Sequence, residues 1–443
     1  MSGEVNDRPR VQLEWLSIMR FREVAPGTRL EFAPGINLVL GMNGSGKTTL
    51  LDLIAACVRG DFRTYADETF ELSYGLRAGA KVYEFCVSNL EVEADPALRE
   101  VLRDMPRASP TRRAIASVIE RDGARERSKV EVTRDRVVRS VDGQSEVLEL
   151  PHYLLAPLEL SLPVAIWFMG IRRTHNEWRL DDPEERFGGV DSMRDVVRFD
   201  EALGFFLTVT TQRSDDAYAF AVMDGPTSAS LLPRMATPRG FAEAAYALQS
   251  QSTDRTFRLD EQHLPVLGHI AEVAGFERVA MVFSAPEERV QNDHIVSFYR
   301  SPDFLCTRGD GQVVRHNHLS FGQKRLLAFF YYVACTPDVV VADELVNGLH
   351  HGWIARCLHE IGDRQAFLTS QNPLLVDMMT FRGADELRRS FVVCRADHEP
   401  NDPKRRLILR WLPLDVQQAE EFAGLLSVDV QPASEILLAM GLW

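Results

Sequence analysis

A glycine-rich loop between a strand-like and a helix-like segment constrains the fold of this chain more than any other feature. Residues 36–40 (INLVL) form an apolar run of the kind found in a strand covered on both faces. Residues 41–48 (GMNGSGKT) follow and fit the pattern G-x-x-x-x-G-K-[ST] at every fixed position. Leu51, Leu53 and Ile54 then recur at helical spacing. This order of strand, glycine loop and helix predicts a phosphate-binding loop, or P-loop.

The chemistry of phosphate binding explains the residue types in this loop. Glycines let backbone N–H groups turn inward around phosphates, and the following helix adds the positive end of its dipole. Lys47 supplies a charge for the β- and γ-phosphates, and the Thr48 hydroxyl is placed to bind Mg²⁺. The predicted cofactors are therefore ATP and Mg²⁺. The residues predicted to contact the nucleotide here are Asn43, Gly44, Ser45, Gly46, Lys47, Thr48 and Thr49.

A second apolar strand, Val339–Ala342, ends in two adjacent carboxylates. Asp343 is predicted to hold Mg²⁺ through water, and Glu344 to polarise the water that attacks the phosphate. Two neighbouring carboxylates serve different roles only if the turn after the strand separates them. Together with the P-loop, this strand predicts the second half of a nucleotide site.

The segment 319–323 (LSFGQ) precedes a predicted helix over residues 320–334. A serine at a helix start with a nearby glycine presents a hydroxyl and backbone N–H groups to an anion. The same arrangement is also that of an ordinary helix N-cap, so the segment acquires functional meaning only beside the other motifs.

With these motifs in order, the chain resembles the ABC-type ATPases, and within them the SMC/RecF-like branch that includes ATPases of Septu-type and retron-type bacterial defence systems. Residues 41–50 resemble the Walker A motif, 319–323 the ABC signature, and 339–344 (VVVADE) Walker B with its catalytic glutamate. Residues 347–350 (NGLH) resemble the D-loop. The resemblance covers residues 11–60 and 315–375.

This resemblance implies a head-to-tail dimer with two sandwiched ATP molecules. Each ATP would touch the P-loop of one subunit and the signature of the other, through Ser320, Gly322 and Gln323. It also places Arg20 and Arg22 of the opening strand among the nucleotide-contacting residues. The catalytic residues that it implies are Glu344, Lys47, Gln371 and His350, and the metal ligands are Thr48 and Asp343.

Two positions depart from the family pattern, and one family residue has no single counterpart. Phe321 replaces the first glycine of the signature, while Ser320 and Gly322 are kept. Gln371 stands where the family carries its switch histidine; an amide can donate a hydrogen bond to the γ-phosphate but does not titrate as histidine does. Slow or partner-dependent hydrolysis is therefore expected. For the Q-loop glutamine, Gln144 and Gln212 both remain open.

The predicted fold is α/β, an ABC-type P-loop head with a mixed or parallel sheet, split by a mixed α/β insertion and without a long coiled coil. Residues 1–87 and 301–390 form the two parts of the ATPase core, residues 88–300 the insertion or regulatory lobe, and residues 391–443 a C-terminal cap.

Composition narrows the functional classes. The 443 residues carry a formal net charge of −14, which argues against a constitutive DNA clamp. No apolar run reaches the roughly 20 residues that span a bilayer, and no secretory signal is visible. The six cysteines are scattered without a CxxC pair, which favours buried reduced thiols. A cytoplasmic protein without membrane contact is expected.

Two weaker signals have competing explanations. Residues 103–139 are rich in arginine and could face nucleic acid, but interleaved acidic residues and absent aromatics equally favour a solvated surface. His316 and His318 form an H-x-H pair, for which packing or solvated histidines are favoured over a zinc site because no third ligand is evident.

These observations favour an ATP-driven switch in an antiphage defence complex, controlling a nuclease or a reverse-transcriptase complex encoded elsewhere. The alternatives are a RecF/SMC-like DNA repair ATPase and a scaffold that ATP locks together with negligible turnover. The expected assembly is a homodimer or higher oligomer formed through the ATP sandwich.

Overall fold

The computed structural model describes residues 10–91, 112–150, 155–174, 177–180, 199, 220–224, 229–233, 237–238, 240–252, 255–291, 294–300, 302–336, 338–398, 407–428 and 431–443. The strands are β1 Val11–Phe21, β2 Thr28–Glu31, β3 Ile36–Leu40, β4 Phe70–Ala78, β5 Lys81–Glu91, β6 Arg112–Asp122, β7 Arg125–Thr133, β8 Val137–Val141, β9 Gln144–Leu148, β10 Ile171–Thr174, β11 Glu177–Leu180, β12 Phe220–Asp224, β13 Ala229–Pro233, β14 Phe257–Leu259, β15 Arg278–Phe283, β16 Glu287–Gln291, β17 His294–Tyr299, β18 Asp303–Thr307, β19 Val313–Arg315, β20 Val339–Ala342, β21 Gln365–Thr369, β22 Phe391–His398 and β23 Leu407–Pro413.

The helices are α1 Lys47–Arg59, α2 Leu162–Gly170, α3 Phe241–Gln249, α4 Pro265–Ala274, α5 Phe321–Cys335, α6 His351–Ile361, α7 Leu374–Asp377, α8 Ala384–Ser390, α9 Val416–Ser427 and α10 Ala433–Ala439. The chain divides into two compact units. The first contains Met1–Arg194, Gln365–Thr369 and Thr380–Trp443, and the second contains Asp195–Arg364 and Ser370–Met379.

The first unit contains an eight-stranded antiparallel sheet in the order β2-β1-β4-β5-β6-β7-β8-β9. In β1, Val11 and Leu13 are fully buried, as are Leu16 and Ile18. Burial alternates within each pair, and the register irregularity between Leu13 and Trp15 shifts the alternation between the pairs. Short hairpins join β4 through β9 wherever the connecting residues are described, which explains the antiparallel pairing.

A second group of strands in this unit carries the P-loop. The strands β21, β3, β22 and β23 pair in that order; β3 is parallel to both β21 and β22, and β23 is antiparallel to β22. The apolar run of β3 is buried from Asn37 to Leu40, and Asn37 is satisfied by hydrogen bonds to the backbone of Ala33, Gly35 and Ala366. The P-loop then connects β3 to α1.

The second unit contains two antiparallel sheets, β13-β12-β17-β16 and β14-β15-β18-β19, together with β20 and helices α3 to α7. Helix α5 is its most buried helix, and α4 packs against it. All four residues of β20 are buried. The hydroxyl of Tyr332 on α5 accepts the Val341 N–H at 2.8 Å and donates to the Val341 carbonyl at 3.2 Å.

The sequence-based expectations for the fold are confirmed in their main lines. The fold is mixed α/β with a P-loop between β3 and α1. The helix expected over 320–334 runs from Phe321 to Cys335 with Ser320 as its N-cap, and in the described part of the chain no helix exceeds its 15 residues, so no long coiled coil occurs there. The chain is less parallel than predicted, because the eight-stranded sheet is antiparallel throughout.

The predicted division into four segments stays a prediction. Strand β5 runs across residues 87 and 88, and β6 to β9 continue the same sheet within the first unit. The cysteines are free thiols, and five are buried while Cys86 is exposed. No helix in the described ranges combines the length and apolar character needed to cross a membrane.

Candidate functional site

The P-loop is built from glycines in backbone conformations that other residues rarely adopt. Gly41, Gly44 and Gly46 have φ values of 143°, 82° and 85°. Gly46 is the N-cap of α1, and its carbonyl accepts the Leu50 N–H at 2.9 Å. The Lys47 side chain is buried and its Nζ donates to the carbonyl of Gly41 at 2.7 Å and of Met42 at 3.2 Å. The ammonium group therefore lies within the curve of the loop.

Strands β22 and β23 support the loop from outside the motif. A Cβ at Gly41 would lie 2.3 Å from the Cys394 carbonyl oxygen, and a Cβ at Gly46 would lie 2.8 Å from Leu409 Cδ1 and 3.2 Å from Trp411 Nε1. The indole N–H of Trp411 donates to the Ser45 carbonyl at 3.4 Å. Burial raises the pKa of the Cys394 thiol to about 12, so it is protonated at neutral pH. Nothing in the local sequence pattern points to Trp411 or Cys394.

The loop has the features of a polyphosphate site. Ser45 Oγ is buried and has no hydrogen-bond partner among the described residues. The first turn of α1 contains no acidic side chain, so no carboxylate of that turn competes with an anion at the positive end of the helix. Asn43, Gly44 and Thr48 are exposed, and Thr49 is half-buried. The exposed side of the loop fits ATP phosphates, and a hydroxyl such as that of Thr48 is a suitable metal ligand.

The two arginines of the opening strand differ from each other. Arg20 is exposed at the end of β1. Arg22 has a φ of 44° and its guanidinium makes two hydrogen bonds of 2.7 Å with the Glu68 carboxylate. The hydrogen bond to Glu68 raises the pKa of Arg22. The role of these two residues in nucleotide contact stays a prediction.

In the second unit, the signature segment forms the start of α5. Ser320 and Gln323 make a reciprocal capping box: the Gln323 N–H donates to Ser320 Oγ at 3.3 Å, and the Ser320 N–H donates to Gln323 Oε1 at 3.2 Å. Gly322 is buried, and a Cβ there would lie 2.7 Å from the Gly348 carbonyl oxygen. Ser320 and Phe321 are exposed.

The signature and the D-loop segment therefore pack together. Gly348 has a φ of 76°, and a Cβ there would lie 2.6 Å from the Phe321 ring. The ring of His350 lies 4.1 Å from the Trp353 ring, and His350 is the exposed N-cap residue of α6. The phenylalanine that replaces the usual glycine is thus accommodated by the D-loop glycine.

Asp343 and Glu344 lie in the turn that follows β20, and the separate roles predicted for their carboxylates stay a prediction. Glu344 has a φ of 50°, a left-handed conformation that is unusual for a residue with a side chain. Its Oε2 accepts the Gln371 N–H at 3.1 Å. Asp343 and Glu344 are both half-buried, and Gln371 is exposed. The structure therefore brings Glu344 and Gln371 together, although they are far apart in the sequence.

A buried arginine that the sequence motifs do not include contacts the same turn. Arg325 on α5 donates to the carbonyls of Asp343, Glu344 and Leu345. The only sequence signal for it is a charged residue on the apolar side of a predicted helix.

Of the two histidines, the structure favours a packing role for His316. The Phe304 N–H donates to His316 Nδ1 at 3.1 Å, and burial lowers the pKa of His316. His318 is exposed. No group of three metal-ligating side chains occurs among the described residues. Of the two Q-loop alternatives, Gln144 is exposed at the start of β9 and Gln212 lies outside the described residues.

The described part of the basic stretch, residues 112–139, forms β6, β7 and most of β8. Most of its cations form ion pairs, which favours a solvated surface over a nucleic-acid face. The pairs are Arg112 with Glu91, Arg121 with Glu84, Arg125 with Asp142, Arg127 with Asp122, Lys129 with Glu131 and Arg139 with Glu146.

Comparison with known protein families gives two matches. Residues 16–146, which include the P-loop, match a family described as an AAA domain. Residues 173–377, which include the signature, Asp343, Glu344 and Gln371, match a family described as AAA domain, putative AbiEii toxin, Type IV TA system. Both parts of the chain are similar to AAA-type ATPase domains. No protein of curated function matches the chain.

Solved structures give a weaker likeness. The SMC head domain from Thermotoga maritima is 11% identical, with 91% of this chain and 99% of that chain covered and a TM-score of 0.34. An Smc head domain with an extended coiled coil, bound to the C-terminal domain of ScpA derived from Pyrococcus furiosus, is 11% identical, with 95% and 100% covered and a TM-score of 0.34. Scores at this level support no argument about this chain.

Proposed function

We propose that this protein binds ATP with Mg²⁺, hydrolyses it, and uses the nucleotide to switch a protein partner. The observation that carries the proposal is the P-loop geometry: three positive-φ glycines, a buried lysine inside the curve, and a helix whose first turn carries no acidic side chain. The match of both parts of the chain to AAA-type ATPase domains supports it.

The chain's own residues then have defined tasks. Lys47 and the N–H groups at the start of α1 hold the phosphates and offset their charge. Thr48 and Asp343 would hold Mg²⁺, which neutralises charge on the β- and γ-phosphates when bound. Glu344 accepts a proton from the attacking water, and the Gln371 N–H orients the Glu344 carboxylate through the bond at Oε2.

The direct test compares nucleotide binding with hydrolysis. Lys47→Ala should abolish ATP binding, and Glu344→Gln should bind ATP but lose multiple-turnover hydrolysis. Matched controls are Lys129→Ala on β7 and Glu272→Gln on α4, which remove the same charges from exposed or half-exposed surface positions. Unchanged hydrolysis by Glu344→Gln would show that Glu344 is not the catalytic base. Unchanged ATP binding by Lys47→Ala would show that the P-loop is not the nucleotide site.

We further propose that the nucleotide closes a dimer that controls an effector in a bacterial defence system. The description of the family matched by residues 173–377 names a toxin of a toxin–antitoxin system, which supports a role in bacterial defence. The exposed Ser320 and Phe321, packed beside the D-loop glycine, offer the surface through which a second copy would reach the nucleotide.

Phage challenge of cells that carry the gene with its neighbours tests the biological role. Protection that Lys47→Ala abolishes is the expected result, and full infection with the wild-type gene would overturn the defence role. Protection by Glu344→Gln equal to wild type would support the ATP-locked scaffold. ATP-dependent, salt-sensitive binding of duplex DNA by the chain alone would support the repair ATPase.

A further inference from the structure

Arg325 is a buried cation that donates to three consecutive backbone carbonyls. Its side chain is 5% exposed. Nε donates to the Leu345 carbonyl at 2.7 Å, and Nη2 donates to the carbonyls of Asp343, at 3.3 Å, and Glu344. The guanidinium carbon also lies 5.1 Å from the centre of the Phe199 ring. Burying a charge is costly unless its donors find acceptors, and here the backbone of one turn accepts the hydrogen bonds of Nε and Nη2.

The turn that Arg325 contacts is the one that shapes the Glu344 conformation. Glu344 is left-handed at φ 50°, a conformation that persists in a non-glycine residue only when its surroundings enforce it. The Asn347 N–H donates to the Glu344 carbonyl at 3.2 Å, and the Gln371 N–H donates to its side chain at 3.1 Å. The Arg325 guanidinium, which belongs to α5, donates to the backbone carbonyls of this turn and so fixes it from outside.

Helix α5 is attached to the same strand at a second point. Tyr332, seven residues after Arg325, exchanges two hydrogen bonds with the backbone of Val341 on β20. Two polar side chains on one helix face thus hold β20 and its turn against α5. Ser320 is the N-cap of this helix. A shift of α5 at its N-terminal end therefore reaches the Glu344 backbone through Arg325.

We propose that Arg325 is a positioning residue that holds Glu344 in its left-handed conformation and couples the Ser320 end of α5 to the Glu344 carboxylate. The proposal rests on the proposed function. In the ATP-bridged dimer, Ser320 of one copy meets the nucleotide that the other copy's P-loop binds. Engagement of that nucleotide then sets the geometry of Glu344 on the engaging copy, so the two sites hydrolyse ATP cooperatively.

The test uses Arg325→Met, which keeps an unbranched apolar stem, and Arg325→Lys, which keeps the charge without the planar fork. Arg364→Met is the matched control, because Arg364 also donates to backbone carbonyls of the same unit, those of Thr336, Glu360 and Ile361, away from the turn. Steady-state hydrolysis gives kcat, KM and the Hill coefficient. Amide hydrogen exchange of the nucleotide-free protein over residues 343–349 and 370–373 reads the turn directly.

For Arg325→Met, kcat should fall about 10- to 100-fold because the carboxylate is misplaced, while KM stays within about twofold. The Hill coefficient should fall towards one, and the amides of Asn347 and Gln371 should exchange faster. Arg325→Lys should give kcat values and exchange rates between those of Arg325→Met and the wild type. Arg364→Met should keep wild-type kcat and wild-type exchange at both segments.

A wild-type kcat in Arg325→Met would overturn the proposal. If that variant does not fold, wild-type exchange at Asn347 and Gln371 in Arg325→Lys would overturn it instead. The exchange measurement needs no nucleotide, so it tests the positioning role of Arg325 separately from the proposed ATPase function. Absence of ATP binding by the wild-type chain would refute the proposed function, whereas exchange at the wild-type rate in an Arg325 variant would refute the positioning role.

Discussion

Replacing Gly46 with alanine tests how tightly β23 packs against the P-loop. The new Cβ would lie 2.8 Å from Leu409 Cδ1 and 3.2 Å from Trp411 Nε1, closer than carbon and nitrogen atoms pack. Leu409 is 6% exposed and Trp411 is 1% exposed, so neither side chain can turn into solvent. The variant must therefore move the loop, the strand or the Leu409 side chain out of its packed position.

The magnitude follows from two separate costs. A side chain at a φ of 85° costs about 1–2 kcal/mol through backbone strain, and overpacking in a filled region adds about 1–3 kcal/mol. We expect Gly46→Ala to lower the free energy of unfolding of the first unit by about 2–5 kcal/mol. Gly44 is the matched control, because its φ is 82° and nothing lies within 4 Å of its Cβ position. Gly44→Ala should cost only about 1–2 kcal/mol.

Urea unfolding of the nucleotide-free protein, followed by circular dichroism, measures both variants. Adding Leu409→Ala to Gly46→Ala should recover at least about 1 kcal/mol relative to the sum of the single variants, because it removes the nearest atom. Equal destabilisation by Gly46→Ala and Gly44→Ala would refute the packing argument. Additive effects in the double variant would show that contact with Leu409 does not cause the destabilisation by Gly46→Ala.

Three further predictions concern other residues. Glu344→Gly and Glu344→Ala should both abolish hydrolysis, but the glycine variant should be more stable by about 1–2 kcal/mol in thermal unfolding, because the position is left-handed. Burial lowers the pKa of His316, so its neutral form adds stability that is present above about pH 6.5 and lost as pH falls through the folded-state pKa. His316→Gln should therefore flatten the acid side of the stability profile measured by urea unfolding. Of the six thiols, Cys86 alone should react with a thiol reagent in the native protein, more slowly than a free cysteine because partial burial raises its pKa. All six should react in denaturant, and reaction of two or more thiols in the native protein would contradict the burial pattern.

Local elements followed from the sequence because their determinants lie within a few residues. The P-loop was predictable since the glycine pattern, the preceding apolar strand and the following helix are contiguous. The start of α5 was predictable because Ser320 and Gln323 satisfy each other across one helical turn. The extent of antiparallel pairing was underestimated, because alternating burial marks a strand but does not say which strand it pairs with or in which direction.

The sequence by itself determined the loop that would hold phosphates, the helix that the signature begins and the pair of carboxylates after β20. The tertiary structure decided what holds them in place. Trp411 meets Ser45 across 366 positions of chain, and Gln371 meets Glu344 across 27. Arg325 reaches the Glu344 turn from α5. These contacts depend on how strands and helices pair and pack, and side-chain period and capping chemistry carry no information about pairing between distant segments.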